Sequence, residues 1–177
     1  MGNDLVAYIE RLELIIFFAG YPMVYALVKF FTGGRQQDTM ALKSQLVKLL
    51  PVAYALSGTL FLGLVLKNLS PNFSLPDIAA QLKSPIKAWG FLSLLFWIPW
   101  FSKKTIFSLL HSLVFFFLLF KDLLYPTDAS PGNDLIKNDM RIYTLSLLLN
   151  AACFIFILLI NFLFSHYQQK RSGLSSK

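Results

Sequence analysis

Residues Pro85 to Tyr125 read PIKAWGFLSLLFWIPWFSKKTIFSLLHSLVFFFLLFKDLLY. Two strongly apolar runs are separated only by Ser102, Lys103 and Lys104, and a single histidine, His111, lies inside the second run. Two apolar blocks joined by a short basic turn predict a membrane hairpin: a helix in, a turn held at the surface by its lysines, and a helix out.

The rest of the chain has the same texture. Its 177 residues are 56% hydrophobic and 16% aromatic, only 14% are charged, and the mean hydropathy is +0.60. A soluble domain carries about 25% charged residues. The apolar residues fall in blocks close to the roughly 20 residues that a helix needs to cross a bilayer core. These features predict an all-α fold, a polytopic integral membrane bundle of five transmembrane helices at about 12–31, 49–66, 85–101, 105–124 and 142–165. The alternative is four full spans with a re-entrant hairpin. The chain reads as a single transmembrane domain over 1–177, with a polar, fraying tail at 166–177. There is no internal repeat, and the odd span count argues against an inverted-repeat transporter within one chain.

Local signals place the ends of these helices. Asn3-Asp4 can cap the first helix and Asp38-Thr39 can restart the chain into the second. Pro22 lies mid-span and should kink the first helix, because it has no N–H for the preceding turn. Pro76 can open a short interfacial helix carrying Ile78, Ala79 and Leu82, and Asn133-Asp134 can cap the last helix. Trp89 marks one interface of the third span, and Trp97 and Trp100 mark the other.

The net charge of +7 reads as topogenic rather than as a nucleic-acid footprint, since Lys and Arg hold the cytoplasmic ends of spans. With the N-terminus outside and the C-terminus cytoplasmic, nine positive residues face in and seven face out, while one acid faces in and eight face out. The sharpest markers are the Lys103-Lys104 turn and Lys170-Arg171 in the tail. The N-terminus lacks the basic region of a secretory signal, and Val6 stands where a myristoylation signal prefers Ser or Thr. A single cysteine, Cys153, excludes an intrachain disulfide and a CxxC pair.

His111 is the first candidate for chemistry, because an ionisable group within a span is costly unless it has a role. Ser108 and Ser112 flank it, but no second His, Asp or Glu sits at its depth. A neutral imidazole bonded to a backbone carbonyl or a hydroxyl on the next helix is therefore the simpler reading. In the last span Ser146, Asn150, Ile157 and Asn161 form a polar stripe, with Cys153 beside it. Interhelical hydrogen-bonding glue explains that stripe without a ligand. Ala55, Thr59 and Gly63 recur every four residues and form a small-residue packing face. The span 3 aromatics Trp89, Trp97 and Trp100 read as interface anchors, and Tyr54 and Ser57 can face the first span.

Other signals are weak or missing. Asn68-Leu69-Ser70 and Asn72-Phe73-Ser74 match the glycosylation tripeptide, and the acids Asp128, Asp134 and Asp139 lack the spacing of a calcium loop. No HExxH, GxSxG, P-loop or CxxCH occurs, so no catalytic residue, metal ligand or cofactor is expected. The leading functional expectation is a non-enzymatic scaffold or accessory subunit of a membrane complex. Its partners would be the lipid bilayer and a membrane protein or a second copy of the chain, with no nucleic acid. The alternative is a lipophile-binding protein or small transporter, with a pocket between spans 3, 4 and 5 contacted by His111, Ser108, Trp97 and Asn150. A lipid-modifying enzyme using His111 as acid or base ranks last, since nothing activates that residue.

Overall fold

The computed structural model describes residues 11–33, 40–69, 83–124 and 133–174, and these are helical apart from short turns. In chain order, α1 covers residues 11–18, α2 is Tyr21–Thr32, α3 is Met40–Leu69 and α4 is Pro85–Phe91. A 3₁₀ stretch, Leu92–Trp97, leads to α5, Pro99–Ser102; α6 is Thr105–Leu124 and α7 is Asn133–Leu174. The expected caps at Asn3-Asp4 and Asp38-Thr39, the interfacial helix from Pro76, Asp128 and the Asn72 tripeptide lie outside the described residues.

Among the described residues, three helices are long and apolar enough to cross a membrane: Arg11–Thr32, Ser44–Leu69 and Met140–Lys170. Thr105–Lys121 is apolar but shorter. The expected third span, 85–101, is not one continuous helix. Pro99 is the reason. A proline disfavours the α conformation in the residue before it, and Ile98 is extended at φ −76° and ψ 126°. Before it, Ser93 Oγ donates to Gly90 O at 2.6 Å, and the chain tightens to 3₁₀ from Leu92 to Trp97. The tail also differs from expectation, because α7 continues to Leu174. Its Gln, Lys and Arg residues are good helix formers once a long helix precedes them.

Pro22 acts as expected, but the break falls just before it. Ala19 and Gly20 form a turn between α1 and α2, with Pro22 in the first turn of α2. Two polar residues of α7 satisfy the interrupted backbone. Gly20 N–H donates to Ser146 Oγ at 2.7 Å, and that hydroxyl donates to Ile15 O at 2.9 Å. Asn150 Nδ2 donates to Phe17 O at 3.0 Å and to Ser146 O at 2.8 Å. Ser57 Oγ of α3 donates to Asn150 Oδ1 at 3.1 Å, which ties a third helix to the seam. Gly20 is necessary here because a Cβ would overlap the backbone of Ser146 and Leu147.

The bundle has two ends. Asn68 Nδ2 donates to Glu13 Oε1 at 3.4 Å and Arg11 Nη2 donates to Leu118 O at 3.3 Å. The start of α1, the end of α3 and the later turns of α6 therefore share one end. At the other end, residues Gln45 to Leu49 of α3 face Ile155 to Ser165 of α7. The core between the ends is aromatic: Phe18 stacks on Phe115 at 4.7 Å, and Tyr21 and Tyr54 lie 4.4 Å apart. The α4–α6 hairpin leans on this core. A Cβ at Gly58 would run into Ser93, so the close approach on α3 falls at Gly58. Of the expected packing stripe, Ala55 is buried, Thr59 is exposed, and a Cβ at Gly63 would meet nothing.

Candidate functional site

An apolar groove of about 480 Å³ runs between the descending arm of the hairpin and α6. Trp89, Leu92, Leu95 and Phe96 line it from the arm, Phe101 from α5, and Phe107, Leu110, His111 and Val114 from α6. Leu92 and Leu110 on its rim are about half exposed, so the groove opens on the flank of the bundle. The sequence explains its shape. On α6, residues 107, 110, 111 and 114 recur at helical spacing and share one face. On the arm, the 3₁₀ stretch turns Leu92, Leu95 and Phe96 toward that face.

His111 lies at the inner edge of the groove, and protein groups hold both of its ring nitrogens. Nε2 is 2.9 Å from the carbonyl oxygen of Trp89, and a carbonyl can only accept, so Nε2 carries the proton. Nδ1 is then the acceptor for the Tyr54 hydroxyl at 2.7 Å. The imidazole also stacks on the Trp89 indole, with centroids 4.9 Å apart and planes within 5°. Trp89 Nε1–H donates back to His111 O at 3.3 Å. Phe96 and Phe115 close the remaining sides of the ring. Binding a metal or a polar ligand through this ring would require breaking one of these bonds.

The four residues expected to share a pocket sit in different places. His111 borders the groove. Ser108 is buried, donates to Thr105 O at 2.7 Å, and lies 2.7 Å from the Tyr21 hydroxyl, facing α2. Trp97 does not line the groove; its Nε1–H donates to Thr59 Oγ1 of α3 at 2.9 Å. Asn150 belongs to the seam between α7, α1 and α3. The groove thus forms between the third and fourth apolar runs, and no residue of α7 lines it. Glu13 is hydrogen-bonded to Asn68 and is not among the partners of His111. Asn161 lies in a second groove of about 490 Å³ between α3 and α7, with Gln45 and Ser165. Among the described residues no group of three His, Cys, Asp or Glu could hold a metal ion.

Tyr54 and the Trp89 carbonyl were the partners that sequence reasoning did not assign to His111. Tyr54 carried a signal, since a phenol deep in an apolar helix needs a hydrogen-bond partner. The carbonyl carried none. The sequence matches no protein-family model, no curated protein and no solved structure, so a functional reading rests on the residues themselves.

Proposed function

We propose that this chain is a small, non-catalytic membrane protein that holds an apolar guest, such as a lipid acyl chain, in the groove between the hairpin arm and α6. One observation carries the reading. Eight of the nine described lining residues are apolar or aromatic, and the ninth, His111, has both nitrogens engaged by Trp89 and Tyr54. Such a lining offers contact area and exclusion of water, and it lacks a free acid, base or nucleophile. A volume of about 480 Å³ lies within the range of pockets that enclose small organic molecules.

In this reading Arg11–Thr32, Ser44–Leu69 and Met140–Lys170 cross the bilayer, with the N-terminus outside and the C-terminus cytoplasmic. The hairpin enters from the outer side and returns to it. Tyr25 OH lies 3.5 Å from Thr105 Oγ1, and α2 continues seven residues beyond Tyr25, to Thr32. At about 1.5 Å per residue, the Thr105 contact, just after the basic turn, lies roughly 10 Å short of the end of α2. Lys104 Nζ rests 5.2 Å from the Trp100 ring and 5.3 Å from the Phe107 ring, a cation–π shelter that suits a partly embedded turn.

The test is to fill the groove. Native mass spectrometry of the protein extracted in mild detergent should find a bound lipophile, and Leu110→Trp with Val114→Trp should remove it. The same lipophile bound at the same level in the filled variant would sink the reading.

A second reading, an accessory subunit of a membrane complex, is favoured by Asn161. Its side-chain amide makes no hydrogen bond among the described residues and lies in the α3–α7 groove beside Gln45 and Ser165. An amide there suits a polar contact from another helix. Purification in mild detergent should then bring down a stoichiometric partner, and a monodisperse lone chain would count against it.

A further inference from the structure

The pocket between the end of α2 and the first turns of α3 shares no residue with the groove described above. It has a volume of about 390 Å³ and is lined by Lys29, Thr32, Gly33, Ser44, Val47 and Lys48. Two lysines and two hydroxyl residues line it, and no acidic side chain is among its described lining residues. Both lysines are exposed, and among the described residues neither has an ion-pair partner.

We propose that this pocket binds the phosphate of an anionic phospholipid headgroup. Helix dipoles would ordinarily weaken an anion site at a helix C-terminus, since the last carbonyls point outward. Here two of the last four carbonyls, those of Lys29 and Phe30, are covered. Thr32 Oγ1–H donates to Val28 O at 2.7 Å and to Lys29 O at 3.2 Å, and Gly33 N–H donates to Phe30 O at 3.2 Å. The end of α2 therefore presents Lys29 with two of its last four carbonyls covered, and the start of α3 adds Lys48. Ser44 and the lone pairs of Thr32 complete a polar wall, while Val47 leaves one side apolar.

The surroundings favour a lipid over free phosphate. Phe30 and Phe31 are 78% and 74% exposed and meet edge to face at 5.7 Å, directly beside Lys29 and Thr32 in the chain. A lipid places its glycerol and upper acyl chain against such rings when its phosphate reaches the lysines; inorganic phosphate gains nothing from them. The pocket also lies at the ends of two helices long and apolar enough to cross a membrane. Basic pockets between transmembrane helices are recurrent headgroup sites. The site rests on the membrane reading of α2 and α3 and is independent of any guest in the hairpin groove.

The experiment uses the full chain in nanodiscs of equal parts phosphatidylcholine and phosphatidylglycerol, with retained lipid counted by native mass spectrometry after release. The wild type should retain phosphatidylglycerol preferentially. Lys29→Gln and Lys48→Gln should each lower that retention about fivefold, and the double variant about 25-fold, from the usual contribution of one lysine near an anionic surface. Lys103→Gln with Lys104→Gln removes the same charge elsewhere and should retain the lipid. Unchanged melting of all variants excludes unfolding as the cause. Equal loss in the two double variants, or no preference in the wild type, overturns the site. Displacement of the lipid by inorganic phosphate overturns the lipid assignment. A chain stripped from the bilayer by alkaline carbonate overturns the membrane reading and this site with it.

Discussion

His111 and Trp89 hold each other twice. The imidazole Nε2–H donates to the Trp89 carbonyl at 2.9 Å, and the indole N–H donates to the His111 carbonyl at 3.3 Å. This reciprocal pair, with the two rings stacked, joins the broken arm of the hairpin to α6. Tyr54 then joins both to α3 through Nδ1. The buried histidine serves here as a three-way tie between elements that are far apart in the chain.

The tie predicts a specific non-additivity. His111→Phe leaves the buried Tyr54 hydroxyl without an acceptor, and Tyr54→Phe leaves Nδ1 without a donor. Each single change should cost about 1–3 kcal/mol, the usual penalty for an orphaned buried group. The double variant removes both partners of the Tyr54–Nδ1 bond, so it should cost clearly less than the sum. Equilibrium unfolding in detergent reads all three. Additive costs would mean that the Tyr54–His111 bond contributes nothing.

The glycines of the two packing faces should behave in opposite ways. Gly20→Ala drives a Cβ into the backbone of Ser146 and Leu147 and should destabilise by about 1–3 kcal/mol, as overpacking does. Gly63→Ala meets open space and should be neutral, or stabilise α3 by up to about 1 kcal/mol through helix propensity. Thermal melting of the purified chain checks both. A strongly destabilised Gly63→Ala chain would mean that a neighbour covers that face.

Much of this architecture was legible in the sequence, and what was not has physical causes. The apolar blocks located the long helices, because an uninterrupted apolar run of about 20 residues favours one continuous helix long enough to cross a bilayer. Pro22 announced a break, because a missing N–H acts locally. Pro99 carried the same kind of signal inside LLFWIPWF, yet the apolar content of that stretch was read as one helix. Hydropathy does not register the extended conformation that Pro99 imposes on Ile98. The small-residue rule pointed to Ala55, Thr59 and Gly63, whereas the tight approach is at Gly58, since spacing cannot say which face meets a neighbour. The partners of His111 lie 57 and 22 residues away, and one of them is a carbonyl that every residue possesses.

The two asparagines of α7 separate internal stability from association. Asn150 donates to Phe17 O and Ser146 O and accepts from Ser57, so Asn150→Leu should cost about 1–2 kcal/mol in the isolated chain. Asn161→Leu should leave the isolated chain unchanged, because no described group bonds to its amide. In native membranes the same Asn161 change should weaken any co-purifying partner. Comparable destabilisation of the isolated chain by both changes would mean that Asn161 is tied within the monomer and would remove the support for an accessory role.

The orientation can be tested with single cysteines, because Cys153 is the sole native thiol and is buried. On a Cys153→Ala background, Lys170→Cys and Lys103→Cys should react with an impermeant maleimide only from the cytoplasmic side, and Asn68→Cys only from outside. The rates carry further information. Position 170 is exposed on α7, whereas Thr105, just after the hairpin turn, meets Tyr25 about 10 Å short of the end of α2, by the rise of about 1.5 Å per residue. Lys103→Cys should therefore react more slowly than Lys170→Cys. Equal rates would place the turn at the surface and favour a hairpin that crosses the bilayer fully. Labelling of Lys103→Cys from outside would invert the hairpin and overturn the charge-based orientation altogether.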